Sequence, residues 1–111
     1  MSETVAIERG DVIIAEIPAP RGRAIRKRRP YVVLSPDDLN AIRFTYLVAP
    51  LTTENHPYRY RVRCEFAGRA GHVVLDQLQV IDSEFAGAPA GKLAAAAVRD
   101  TLERLREMFA E

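Results

Sequence analysis

The chain has 111 residues, 48% of them hydrophobic and 28% charged, with 16 basic and 15 acidic side chains and a formal charge of +1. This size predicts one domain over residues 1–111 with a single modest core, and no apolar run reaches the ~18 residues that cross a bilayer. A lone cysteine, Cys64, excludes an intramolecular disulfide and a Cys-based metal framework. Acids at Glu3, Glu8 and Asp11, with no positive stretch before them, argue against a signal peptide, so the expected location is the cytoplasm.

In chain order, "GDVIIAEI" (10–17) is rich in branched apolar residues and predicts a strand that ends at "PAP". Residues 18–29 follow as a long loop containing "RGRAIRKRR", five arginines and one lysine in nine positions. The excess is regional. Residues 21–69 hold 11 basic and 4 acidic residues, a local charge of +7, against −6 for the rest of the chain. Such polarity fits a cationic working face for a polyanion, or a solvated loop beside one charged strand face.

"YVVLS" (31–35) is an apolar run that predicts a buried strand, with Pro30 as its first residue, where the missing N–H does least harm. "SPDDLNA" predicts a short helical turn with Ser35 as N-cap. "FTYLVAPL" (44–51) reads as a third strand stopped near Pro50, and "TTENHP" as a turn. In "YRYRVRCEF" (58–66), Tyr58, Tyr60, Val62, Cys64 and Phe66 alternate with Arg59, Arg61, Arg63 and Glu65. That alternation predicts a half-buried antiparallel strand with Cys64 on its core face and Arg59, Arg61 and Arg63 outside, either as an extension of a phosphate track or as an ordinary solvated face. "AGRAG" (67–71) is a turn. "HVVLDQLQVID" (72–82) is a fifth strand, broken or bent near Asp76, and "SEFAGAPAG" a loop with a possible single turn. From Ala94 to Phe109, Val98, Leu102, Leu105 and Phe109 form one apolar helical stripe, with Arg99–Glu103 and Asp100–Arg104 as i,i+4 pairs outside. The fold class is therefore mainly β with α: a small antiparallel sheet or barrel packed on one closing helix.

The stretches "RGDVIIAEI", "RRPYVVLSPDDLN", "LVAPLTT" and "VVLDQLQVID" together resemble the MazF/PemK (Kid) family of bacterial toxins over roughly residues 9 to 107. The resemblance implies an SH3-like barrel with a C-terminal helix, usually a homodimer. It also implies an endoribonuclease that cleaves single-stranded RNA and is inhibited by the acidic tail of a cognate antitoxin. By position in the motifs, Arg29 and Thr52 are the implied catalytic residues, with Asp76 assisting. Arg21, Arg23, Arg26, Lys27, Arg28, Thr53 and Gln77 are the implied RNA contacts, and no cofactor or metal is expected. The chain departs from the pattern twice. Many members carry Ser-Glu-Gln where this chain has Arg23, Ala24 and Ile25, and some carry an arginine where it has Val74.

The chemistry is coherent with these residue types. The ribose 2′-OH can attack its own phosphodiester, so the protein must position the strand, move protons and stabilise charge on the phosphoryl oxygens. A guanidinium forks onto two phosphate oxygens, and a threonine hydroxyl can donate to the same group. Arg29 stays protonated and is a poor base, which leaves Asp76, His56 or His72 for that role. As bland readings, Arg29 is one more solvated charge and Thr52 a turn residue bonding its own backbone. A non-catalytic nucleic-acid or peptide module, or a CcdB-like gyrase poison on the same fold, are the rival functions; the poison is disfavoured because the chain has no Trp.

Overall fold

Among the described residues of this computed structural model (6–17, 28–42, 44–55 and 58–111), every strand pairing is antiparallel. The elements are β1 (Asp11–Glu16), β2 (Arg28–Val33), α1 (Asp37–Ile42), β3 (Thr45–Thr52), β4 (Arg61–Phe66) and β5 (Arg69–Val74). A 3-10 turn at Leu75–Gln77 then leads to β6 (Gln79–Asp82), and another at Ser83–Phe85 to β7 (Gly91–Lys92) and α2 (Ala95–Phe109). The strand order is β4-β5-β3-β2-β1-β7, with β6 also on β3. The sheet curls until its two ends meet. The Phe66 ring, on the last residue of β4, packs on Gly91 of β7 so tightly that a Cβ there would lie 2.8 Å from it. This is the expected small barrel with a C-terminal helix, in half-closed form.

Alternation along β1, β2 and β3 feeds one apolar cluster on each face of the sheet. Ile13, Tyr31, Val33 and Val48 gather on one face with Ile7, Ile81 and Ala86. Val12, Val32, Leu34 and Ala49 gather on the other with Val62, Val73, Leu75 and Leu93, beneath Val98, Leu105 and Met108 of α2. Val12, Ile13, Val32, Val33, Val48 and Val73 are fully buried. Each contributes about 1.5–3 kcal/mol of burial free energy.

Four local expectations change. First, the strand after the basic loop begins at Arg28, and Pro30 is its third residue. Gly10 N–H donates to the Val33 carbonyl (2.8 Å), so odd positions of β2 direct their backbone groups to β1. Pro30 therefore faces the β3 side, where pairing begins only at Tyr31, and no ladder bond is lost. Second, β3 runs through Pro50. Its residues 45–48 pair with β6 and 51–52 with β5, and Pro50 falls in the break between the two partners.

Third, the β4 strand starts at Arg61 rather than Tyr58, after a turn in which Arg61 N–H donates to the Tyr58 carbonyl (3.1 Å). Fourth, Ser35 makes no N-cap bond with its hydroxyl. Its Oγ donates to Asn40 Oδ1 (2.6 Å) and accepts from Leu47 N–H (3.1 Å), while Asn40 Nδ2 donates to the Ser35 carbonyl (2.9 Å). This buried knot fastens α1 to β3.

The α2 stripe also turns by one position. Thr101 is fully buried, Met108 packs on the core, and Phe109 is 71% exposed. The ion pairs found on α2 are Arg104–Glu107 and Arg106–Glu103, at i,i+3 rather than the expected i,i+4. At the opposite end of the sheet, Lys92 Nζ lies 3.2 Å from both Glu8 and Asp11, which tie β7 to β1 and raise the lysine pKa.

Candidate active site

Arg29 is the second residue of β2, set opposite Ala15 of β1. It is held by strand pairing rather than carried on a loop. Tyr31, two residues on and on the same strand face, feels it: burial pushes the phenol pKa up, and the Arg29 charge offsets part of that rise. Thr52 ends β3 opposite His72 of β5. Its Oγ1 accepts from Glu54 N–H (3.1 Å), the local backbone bond expected of a turn residue. That bond uses an oxygen lone pair and leaves the hydroxyl proton to donate elsewhere, so the bland role and the functional one are compatible. Beneath it, β5 approaches so closely that a Cβ on Gly71 would overlap the Thr52 carbonyl oxygen.

Arg29, Thr52, Thr53 and Gln77 come together along one open cleft of about 530 Å³. Arg61, Cys64, Phe66 and Arg69 supply much of its other wall. The charged lining is Arg29, Arg61, Arg69 and Glu54, a cationic balance suited to a phosphate chain. Burial raises the pKa of the Cys64 thiol, which keeps it protonated, as expected of a core-facing cysteine.

Asp76 sits in the 3-10 turn with its side chain 44% exposed, beside the cleft rather than in its lining, and reaches it through Arg61. Arg61 Nε lies 3.7 Å from Asp76 Oδ1. His72 Nδ1 is buried without a hydrogen-bond partner among the described residues, and the ring is not part of the cleft wall. Arg28 belongs to β2 opposite Glu16, one position out of phase with Arg29 and outside the cleft lining. Arg21, Arg23, Arg26, Lys27 and His56 lie outside the described residues. Among the described residues, no three His, Cys, Asp or Glu side chains gather as a metal site.

Sequence reasoning missed Arg69 as a cleft residue, and of the Arg59/Arg61/Arg63 ladder that it offered as an extension of the phosphate track, Arg61 alone lines the cleft. The register that brings them there is set by the turn. Ala67 and Gly68 both have positive φ (54° and 76°), as a two-residue type I′ hairpin requires. Counting back from that turn pairs Phe66 with Arg69 and Arg61 with Val74. Val74 is apolar, so the guanidinium of this cross-strand pair stands on β4.

The model of the PemK-like, MazF-like toxins of type II toxin–antitoxin systems matches residues 8–109. The chain belongs to this toxin family. Among solved structures, a MazF from Deinococcus radiodurans superposes with a TM-score of 0.78 at 20% identity, covering 95% of this toxin and 97% of that chain. A MazE–MazF complex from the same organism gives 0.78 at 21% identity, with 94% and 96% covered. An endoribonuclease in complex with its cognate antitoxin, from a mycobacterial species, gives 0.78 at 17% identity, with 92% and 93% covered. At these identities the likeness establishes the fold of the toxin, a MazF-type half-barrel with its C-terminal helix. No curated protein sequence matches the toxin, and no helix among its described residues is long and apolar enough to cross a membrane.

Proposed function

We propose that this toxin is a single-domain endoribonuclease that cuts single-stranded RNA without a metal ion. The 2′-OH attacks the adjacent phosphorus, the 5′-oxygen leaves and takes a proton from water, and the products carry 2′,3′-cyclic phosphate and 5′-OH ends. One observation carries the reading: Arg29 and Thr52, far apart in sequence, share the wall of one cationic cleft. In this mechanism the Arg29 guanidinium grips the non-bridging oxygens as charge builds on them, and the Thr52 hydroxyl donates to the same group. Arg29's place in a paired strand supports the role, because a donor already in position needs no reorganisation in the transition state. Asp76, at the cleft edge, takes the 2′-OH proton, while Thr53 and Gln77 hold the flanking nucleotides.

The toxin works as a homodimer in the cytoplasm, and a cognate antitoxin silences it by laying an acidic segment over the same arginines. The assembly of MazE with MazF in Deinococcus radiodurans supports the antitoxin by analogy. The arginines at 21, 23 and 26, with Lys27 and Arg28, add phosphate affinity that does not depend on sequence. The test is to incubate purified toxin with single-stranded RNA in EDTA and analyse the fragment ends. Discrete cuts with cyclic phosphate ends are expected.

A further inference from the structure

Arg61 is an unusual cation to find at the start of an edge strand. Its side chain is only 11% exposed, and its Nε is buried without a hydrogen-bond partner among the described residues. The Asp76 oxygen 3.7 Å away is near enough to attract it and too far to accept a hydrogen bond. The Tyr58 ring carries the guanidinium at 4.7 Å from its centroid, a cation–π contact. A buried guanidinium N–H without a partner is costly unless an anion completes it. The group opens onto the same cleft as Arg29 and Thr52, opposite a strand position, Val74, that offers no polar partner.

We propose that Arg61 forms a second phosphate subsite in the cleft, receiving the RNA phosphate next to the one gripped by Arg29. Tyr58 orients its guanidinium and Asp76 holds it in place while the cleft is empty. The proposal rests on the cleft being an RNA site, and it assigns the neighbouring phosphate to β4 rather than to the basic stretch before β2.

The test measures binding of a single-stranded 2′-O-methyl RNA, which cannot be cut by 2′-OH attack, across a salt series. Losing one phosphate contact to a single strand lowers the slope of log K against log salt by about 0.7. Arg61→Gln is expected to show that loss, and Arg61→Lys, which keeps the charge, to hold the wild-type slope. A wild-type slope in Arg61→Gln overturns the proposal, whether or not the variant melts earlier. Should Arg61→Gln not fold, Arg61→Lys decides through affinity. Loss of the fork is expected to weaken binding about tenfold, as for a charge-assisted hydrogen bond, and wild-type affinity overturns the subsite. Cleavage of ordinary RNA is scored separately. If wild-type toxin binds but never cuts, the proposed function falls while the Arg61 subsite is still decided by the salt slopes.

Discussion

The carbonyl oxygen of Thr52 occupies the space that any residue but glycine at position 71 would need for its Cβ. The position of the proposed catalytic hydroxyl thus depends on an absent side chain one strand away. Gly71→Ala must push β3 and β5 apart, because the obstacle is backbone and cannot rotate aside. Overpacking of this kind costs about 1–3 kcal/mol. Chemical denaturation is expected to show that loss, and RNA cleavage should fall more steeply than the folded fraction does, since Thr52 moves with its carbonyl.

Asp76 has two effects that one substitution separates. Its carboxylate offsets part of the Arg61 charge, and it is the proposed base. Asp76→Asn should bind non-cleavable RNA about two- to fivefold more tightly, in keeping with a partly exposed ion pair worth roughly 0.2–1 kcal/mol. The same variant should cut ordinary RNA more slowly. Binding by fluorescence anisotropy and cleavage rates at saturating protein give the two numbers. Weaker binding would show that Asp76 does not act as the counter-ion of Arg61.

Cys64 reports on the cleft wall. Burial raises its pKa above the ordinary thiol value, so at pH 8 a smaller fraction is thiolate in the folded toxin than in the unfolded chain. Iodoacetamide should therefore label the folded protein several-fold more slowly than the denatured one, and the rate should climb as pH passes the raised pKa. Stability moves with the same equilibrium. The folded state favours the protonated thiol, so this contribution is complete below the unfolded pKa and is lost as pH rises through the folded one. Mass spectrometry of timed alkylations checks the rates.

Most of the element order was legible in the sequence, because each strand carried its own apolar pattern. Pro50 was misjudged because a proline is a strand breaker only where the ladder needs its N–H, and which partner lies beside residue 50 is a tertiary fact. β7 is two residues long and carries too little pattern to be read. Arg29 and Thr52 were found through motif resemblance, which holds whatever the register. Arg61 was legible only as one of three arginines on the outer face of an alternating strand, because alternation cannot single out which of them meets the cleft. Only the curl of the sheet and the β4–β5 register turn that position into the cleft.

The helix stripe gives the same lesson in a form that can be measured. Leu102, Leu105 and Phe109 fit a helical period, yet α2 presents Val98, Thr101, Leu105 and Met108 to the barrel. Met108→Ala is expected to cost about 1–2 kcal/mol, below the ~2–5 kcal/mol of a fully buried methionine because the residue is only half-buried. Phe109→Ala should stay within about 0.5 kcal/mol, as for an exposed position. Urea unfolding of the two variants distinguishes the observed face from the one the periodicity predicts.

The most direct test of the whole account compares wild-type toxin with Arg29→Ala and Thr52→Ala on one single-stranded RNA in excess EDTA. Wild type should give discrete fragments ending in 2′,3′-cyclic phosphate and 5′-OH. Each variant should melt at nearly the wild-type temperature and cut about 10²–10³-fold more slowly, the usual loss for removing one transition-state donor. Undiminished cleavage by folded Arg29→Ala, or wild-type activity that vanishes on chelation and returns with Mg²⁺, would contradict the account.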